Sequence, residues 1–147
     1  MDKLKWCKNK KNGIEITEPS KNLAKSYMRK SENSLKTMNS TPAEDWKVTT
    51  AYYTCYQALY ALIQRAGISS EIHDCTIELM QFFDFDEEDI NFLRDLKEKR
   101  IDAQYYVTKE VRLVDKDKVK DFRLKCKKIL ERTNFDEVRK EIVSRLK

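Results

Sequence analysis

One arginine interrupts the apolar face of the helix that the pattern of residues 86–106 predicts. Counting about 100° per residue from Ile90 places Leu93 at about 300° and Leu96 at about 240°. Arg100 falls at about 280°, between the two leucines. A guanidinium is rarely buried without a partner, and its planar fork suits carboxylates and phosphates. We therefore expect another helix, another subunit or a bound anion to hold Arg100, unless its head reaches solvent over the apolar neighbours.

Two tyrosines and the only histidine of the chain are candidates for proton transfer at this arginine. Tyr105 follows Arg100 after four intervening residues, and Tyr106 comes next. A tyrosine would act near neutral pH only if its pKa, ordinarily about 10, were strongly lowered, which a nearby guanidinium favours. His73 lies far away in sequence. It is either a catalytic group that folding brings to Arg100 of the same or another subunit, or a helix-end histidine bonded to backbone or to Asp74.

The helix predicted over residues 42–67 carries an aromatic stripe beside its apolar face. Its tyrosine hydroxyls are candidate partners for Arg100, as is a phosphate. The stripe fits core packing, and it equally fits a face that stacks on bases or on a partner protein. Its members are Trp46, Thr49, Tyr53, Tyr56 and Tyr60.

The sequence contains no recognisable motif for binding a metal or a cofactor. The four cysteines occur singly and there is one histidine, so we expect no metal site and no cofactor. Glycine-rich phosphate loops and nucleophile-elbow motifs are missing. Cys55 and Cys126 fall on apolar helix faces, which is typical of small buried thiols and fits a reducing cytoplasm. No apolar run approaches the roughly 20 residues that a membrane span needs, and residues 1–13 do not form a signal peptide, so we expect a cytoplasmic protein without membrane contact.

The composition and the residues that mark helix ends predict an all-α domain. The chain has 147 residues with 2 Gly, 2 Pro and 37% charged residues, which favours long helices and short connections. Ser20, a capping box at 41–44 and Asn134 mark helix starts, and Gly67 marks a helix end. We expect an irregular basic arm over residues 1–19 and one helical domain over 20–147, an up-and-down bundle of four to five main helices. The predicted helices cover about 21–38, 42–67, 71–83, 86–106 and 116–132, with a last one after Asn134.

The net charge of +5 has two sources, residues 1–13 and residues 116–132. Basic segments of this kind can hold phosphates. Ordinary solvated helix faces are the alternative, because acidic residues are interleaved through most of the chain.

Three stretches in order resemble the HEPN family (higher eukaryotes and prokaryotes nucleotide-binding): DWKVTTAYYTCYQALYALIQRAGI, IHDCTIELM and LKEKRIDAQYYV. The resemblance covers about residues 20–132. It implies a bundle of four or five helices, usually a homodimer, in the cytoplasm of prokaryotes. The family's signature is an arginine, four to six residues and a histidine, a pair that cleaves RNA without a metal in catalytic members.

This chain matches that signature at Arg100 and departs from it at Tyr105, where the histidine would stand. The resemblance therefore implies a non-catalytic or weakly catalytic module that binds nucleotide or RNA through Arg100, Tyr106, Tyr53 and Tyr56. It also implies pairing with a nucleotidyltransferase in a toxin–antitoxin-like system. Two alternatives stay open: a metal-independent RNA endonuclease that uses Arg100 with Tyr105 or with His73, and a dimeric interaction scaffold in which Arg100 is a structural bridge.

Overall fold

The computed structural model describes residues 2–105 and 113–147, and most of them are helical. The predicted all-α helical bundle is confirmed, with one very small sheet added to it. The elements in chain order are α1 (Lys3–Asn9), β1 (Glu15–Ile16), α2 (Lys21–Ser40), α3 (Glu44–Arg65), β2 (Ile68–Ser69), α4 (His73–Glu78), a short 3₁₀ helix (Leu79–Phe82), α5 (Glu87–Tyr105), α6 (Lys116–Arg132) and α7 (Phe135–Arg145). The two strands pair antiparallel, with Glu15 opposite Ser69.

Helix α3 is the centre of the bundle, as the density of its apolar pattern predicts. It packs against α2, α5 and α6, and all but a few of its residues from Val48 onward are buried. Tyr52, Leu59 and Ile63 are among the largest side chains that are fully buried. Because α3 is enclosed on several sides, its aromatic residues lie partly in the core and partly at the edges of the neighbouring helices.

Two predicted helix starts are confirmed by the hydrogen bonds of their capping side chains. The Ser20 hydroxyl accepts from the Leu23 N–H at 3.0 Å, and the Asn134 side chain accepts from the Glu137 N–H at 3.3 Å. Both caps satisfy backbone donors that the first turn of a helix leaves unpaired. Their residue types and positions therefore identified the starts of α2 and α7.

The predicted capping box at 41–44 is wrong. Helix α2 extends to Ser40, and the Thr41 N–H closes its last turn by donating to the Thr37 carbonyl at 2.9 Å. Helix α3 begins at Glu44, with Ala43 before it and no side-chain cap. The threonine that would have capped α3 thus ends α2, and α3 begins two residues later than the motif predicts.

Residues 2–19 are more ordered than the predicted irregular arm. They form α1 and β1, and the side chains of Leu4, Cys7 and Ile14 are buried in the core. Cys7 forms a disulfide with Cys75 at the start of α4. The sequence did not indicate this bridge, because the cysteines occur singly and not in a paired motif. A helix of seven residues is too short to show a clear period, and disulfide pairing depends on distances that only folding sets.

Helix α7 closes the bundle at the end of α3. Gly67 has φ +76°, in the left-handed region that favours glycine, which confirms the predicted helix end. The Arg139 guanidinium lies beside this turn, and its Nη1 is 2.8 Å from the Thr17 carbonyl, 3.0 Å from that of Ala66 and 2.7 Å from that of Gly67. One arginine of α7 therefore joins the end of α3 to the strand pair.

Helix α6 is joined to α2 by a second arginine. Arg123 is buried, and its Nε donates to the Ser31 hydroxyl at 3.1 Å and its Nη2 to the Met28 carbonyl at 3.3 Å. Ser31 in turn donates to the Thr54 carbonyl of α3 at 2.6 Å. Three helices are thus connected through one short chain of hydrogen bonds.

No helix within 2–105 or 113–147 has the length and apolar character needed to cross a lipid bilayer.

Candidate functional site

The side chain of Arg100 reaches from α5 to the aromatic face of α3. It is half-buried, and its Nη1 donates to the Tyr53 hydroxyl at 3.3 Å and to Gln104 Oε1 at 3.0 Å. The guanidinium carbon lies 5.0 Å from the ring centroid of Tyr52 and 5.6 Å from that of Tyr53. Of the candidate partners that the sequence left open, a tyrosine hydroxyl of the second predicted helix contacts Arg100.

Arg100 differs from the other cations of this surface in having no acidic partner among residues 2–105 and 113–147. Arg94, on the same helix, pairs with Glu78 at 3.1 Å, and Lys97 pairs with Asp74 at 2.7 Å. The Nε of Arg100 is buried and makes no hydrogen bond within the described part of the chain. A half-buried positive charge that is held only by neutral groups is suited to an anion.

Folding brings His73 into the same cluster. Its Nδ1 lies 2.8 Å from the Tyr52 hydroxyl, and its ring stacks on Tyr56 with centroids 4.2 Å apart. Tyr52 therefore contacts both groups, because its ring faces Arg100 and its hydroxyl bonds His73. His73 is the first residue of α4, as the helix-end interpretation expects, but its partner is the Tyr52 hydroxyl and not backbone or Asp74. Folding also brings it near Arg100 within one chain, which the catalytic interpretation requires.

The surroundings keep His73 neutral. Burial lowers its pKa most, the positive charges of Arg100 and Lys97 act in the same direction, and Asp74 opposes them, with a net result of about 4. An imidazole with this pKa carries no charge at pH 7 and is a weak base. Its Nδ1 has the Tyr52 hydroxyl as a partner, and the other ring nitrogen makes no hydrogen bond to the described residues.

The buried tyrosines of the cluster are unsuited to proton transfer. Burial raises the pKa of the Tyr52 phenol well above its usual value, and the neighbouring Tyr56 adds to the increase, whereas Arg100 only partly opposes it. Burial likewise raises the pKa of the Tyr56 phenol. The Tyr56 hydroxyl is paired with the Thr76 hydroxyl at 3.0 Å. Both phenols thus serve as neutral hydrogen-bonding groups near pH 7.

The pKa of His73 gives the stability a pH dependence that can be measured. The unfolded state takes up a proton near pH 6.5 and the folded state only near pH 4, so the free energy of unfolding falls as the pH drops through this window. After allowance for partial exposure we expect a loss of about 1 to 2 kcal/mol from this group.

Urea titrations at pH 7 and pH 4.5 would measure this loss, with His73→Gln as the matched variant. The difference between the two pH values should be smaller in His73→Gln, because Asp74 and Asp86, whose pKa values are also lowered, contribute equally in both proteins. A folded-state pKa near 6.5 for the imidazole, measured by NMR, would contradict the expectation.

Two hollows flank Tyr53 and Gln57, which line both of them. One, of about 240 Å³, lies on the His73 side, and the other, of about 400 Å³, lies on the Gln104 side. The first is lined by Tyr27, Tyr53, Tyr56, Gln57, Tyr60, Ser70, Glu71 and His73. A larger hollow of about 660 Å³ runs along α6 and is lined by acidic and basic side chains, none of which belongs to the Arg100 cluster. The side chains that could bind or act on a ligand, Arg100 and His73, therefore lie near the two hollows that Tyr53 lines.

Only some of the predicted site residues lie close to Arg100. Tyr53 contacts Arg100 directly, and Tyr56 is buried behind it against His73. Tyr105 lies at the end of α5 with 68% of its surface exposed, about 140° around the helix from Arg100. Tyr106 lies outside the described residues.

Two residues of the cluster were missed by the sequence reasoning. Gln104 follows Arg100 at the i+4 spacing that places side chains on one helix face, so this spacing could have identified it. Tyr52 is fully buried in the core, and nothing in its spacing distinguishes it from the apolar residues around it. Only the packing of α4 against α3 reveals that its hydroxyl meets His73.

No group of three or more His, Cys, Asp or Glu side chains in residues 2–105 and 113–147 is arranged to hold a metal ion.

No model of a known protein family matches this chain, and a search of curated proteins finds no significant match.

Proposed function

We propose that this chain is a HEPN-like module that binds the phosphate of a nucleotide or of RNA at Arg100 and has weak catalysis or none. The observation that carries the proposal is the half-buried guanidinium of Arg100, held by Tyr53 and Gln104 and without a carboxylate partner in the described residues. An oxyanion at this position gains a charge-assisted hydrogen bond and compensates the arginine charge. Neutral tyrosines beside it fit ribose or base contacts.

Weak catalysis follows from the proton-transfer groups that the cluster offers. Tyr105 is exposed on another side of α5 from Arg100, which disfavours an endonuclease that relies on this pair. The imidazole of His73 has a pKa of about 4, too low for efficient general acid–base catalysis at neutral pH.

An RNA endonuclease that uses Arg100 with His73 is the second candidate, and one observation favours it. Tyr52 contacts both side chains, so the two groups of such a mechanism lie on one cluster. A bound phosphodiester would offset the charge of Arg100 and raise the pKa of His73 toward the range in which proton transfer is efficient.

The proposal includes a homodimer and a nucleotidyltransferase partner in a toxin–antitoxin-like pair, in the cytoplasm of a prokaryote. These parts rest on the resemblance of the three sequence stretches. The disulfide between Cys7 and Cys75 argues against the cytoplasmic part, because cytosolic thiols are ordinarily kept reduced.

The test of the proposal is the affinity for a labelled single-stranded RNA, measured as a function of salt on Arg100→Ala and wild-type protein. We expect Arg100→Ala to lose at least about tenfold in affinity, since hydrogen bonds to charged groups contribute about 1.5–3 kcal/mol. The slope of log affinity against log salt should fall by about one. Arg94→Ala is the matched control, because this arginine lies on the same helix but is already paired with Glu78.

The same proteins distinguish the alternatives. Absence of salt-sensitive binding by the wild type, or equal losses in Arg94→Ala and Arg100→Ala, would contradict the proposal. Cleavage of RNA in excess chelator that disappears in both Arg100→Ala and His73→Gln would instead favour the endonuclease. A lower melting temperature or a dissociated dimer in Arg100→Ala, without any RNA binding by the wild type, would favour the scaffold.

A further inference from the structure

The hollow on the Gln104 side of Tyr53 has an exposed tryptophan at its edge. Trp46 lies in the first turn of α3, and 49% of its surface is exposed. The ring therefore leaves about half of its surface outside the packing of the fold. An exposed ring at the edge of a hollow is available to stack on a planar ligand. The lining residues are Asn33, Ser34, Thr37, Trp46, Thr49, Thr50, Tyr53, Gln57 and Gln104.

All nine lining residues are uncharged, which distinguishes this hollow from the one along α6. The nearest acids on α3 are Glu44, which is paired with Lys47 at 2.9 Å, and Asp45, which accepts the Trp46 N–H at 2.9 Å. No basic side chain lines the hollow to compensate the charge of a phosphate there. The lining therefore suits a neutral, planar group that forms hydrogen bonds.

Two side chains of the hollow have unused hydrogen-bonding groups within the described residues. Gln104 Oε1 accepts from Arg100, and its amide nitrogen makes no described bond. The side-chain amide of Asn33 makes none either, since only its backbone carbonyl accepts, from Thr37. By contrast, the hydroxyls of Thr49 and Thr50 donate to backbone carbonyls of their own helix. Free carboxamides are the groups that pair with the edges of nucleobases.

The hollow is directly connected to the proposed phosphate position. Tyr53 and Gln104 both line it, and both bond the same Nη1 of Arg100. We propose that this hollow is a nucleobase subsite, in which a base stacks on Trp46 while the phosphate of the same nucleotide lies at Arg100. This inference rests on the proposed function and deepens it, because it assigns the base and the phosphate to separate residues.

The experiment compares adenosine 5′-monophosphate with ribose 5-phosphate, which has the same phosphate and sugar but no base. The chain has two tryptophans, so Trp6→Phe leaves Trp46 as the only tryptophan, whose emission can be excited selectively over that of the tyrosines. In this background we expect the monophosphate to quench the fluorescence and to bind about tenfold more tightly than ribose 5-phosphate, as stacking of one base on an aromatic side chain provides. Calorimetry on the protein with both tryptophans present provides an independent affinity.

Substitution of Trp46 isolates the stacking contribution. Trp46→Ala should bring the affinity for the monophosphate down to that for ribose 5-phosphate and leave the latter unchanged. Trp46→Phe should retain part of the difference, because it keeps an aromatic ring. Since 49% of the Trp46 surface is exposed, both variants should remain folded at the temperature of the binding measurements.

The outcomes separate this inference from the proposed function. If both ligands bind equally and Arg100→Ala weakens both, the phosphate site stands and the base subsite is wrong. If Trp46→Ala still binds the monophosphate more tightly than it binds ribose 5-phosphate, the base lies elsewhere and the inference is overturned. If neither ligand binds the wild type, and no RNA does, the proposed function and the inference fail together.

Discussion

Replacing Gly67 with alanine is expected to lower the free energy of unfolding by about 3 kcal/mol or more, one of the two largest effects expected of this chain. Gly67 has φ +76°, where an L-residue with a side chain is strained. The added methyl would lie 2.8 Å from the Pro19 nitrogen and from the Thr17 carbonyl oxygen, both backbone atoms that cannot easily move. It would also collide with Nη1 of Arg139. A denaturant titration followed by circular dichroism would measure the loss.

Arg139 provides the control for this prediction. The new methyl would collide with the Arg139 guanidinium, but a long side chain can move away. If the guanidinium were the main obstacle, the double variant Gly67→Ala/Arg139→Ala would be no less stable than Arg139→Ala alone. We expect the double variant to remain clearly less stable, because the left-handed backbone and the two backbone contacts persist. Equal stabilities of wild type and Gly67→Ala would contradict the description of this turn.

Removing the disulfide between Cys7 and Cys75 is expected to cost about 4 kcal/mol of stability, or roughly 10–15 °C in melting temperature. The two cysteines are separated by 68 residues, and the bridge therefore restricts a long segment of the unfolded chain. Helix α1 has only seven residues and would not be stable alone, so the bridge also holds it in place. The test is the melting temperature of Cys7→Ala/Cys75→Ala against wild type.

A reductant gives the matched control for the disulfide prediction. It should lower the melting temperature of the wild type toward that of Cys7→Ala/Cys75→Ala and should leave the double variant unchanged. The remaining thiols, Cys55 and Cys126, are fully buried, so alkylation of the native oxidised protein should label neither of them. Two alkylated cysteines in native protein isolated under oxidising conditions would show that the bridge does not form.

The sequence alone was sufficient for the long helices and several of their ends. Hydrophobic repeats near 3.6 residues identify α2, α3, α5 and α6, because each must bury one face and therefore shows it in its pattern. Ser20 and Asn134 identify helix starts through hydrogen bonds made within three residues. These signals can be recognised in the sequence because each capping side chain and its backbone partner lie within one helical turn.

Arg100 shows how much of the candidate site a helical sequence pattern can predict. Its place on the apolar face predicted that another helix, another subunit or an anion would hold it, and Tyr53 of α3 contacts it, together with Gln104 of its own helix. The same reasoning did not reveal its neighbour Tyr52, whose position on the helix is equally compatible with simple core packing.

What the sequence by itself determined is the class of the fold, the main helices and the presence of one unusual cation on a buried face. Only the tertiary structure decided that His73 lies against Tyr52 and Tyr56, that Cys7 meets Cys75, and that the first residues join the core. The reason is physical. Helical periodicity and capping are set by interactions over a few residues, whereas these contacts join segments more than fifteen residues apart and depend on how whole helices pack.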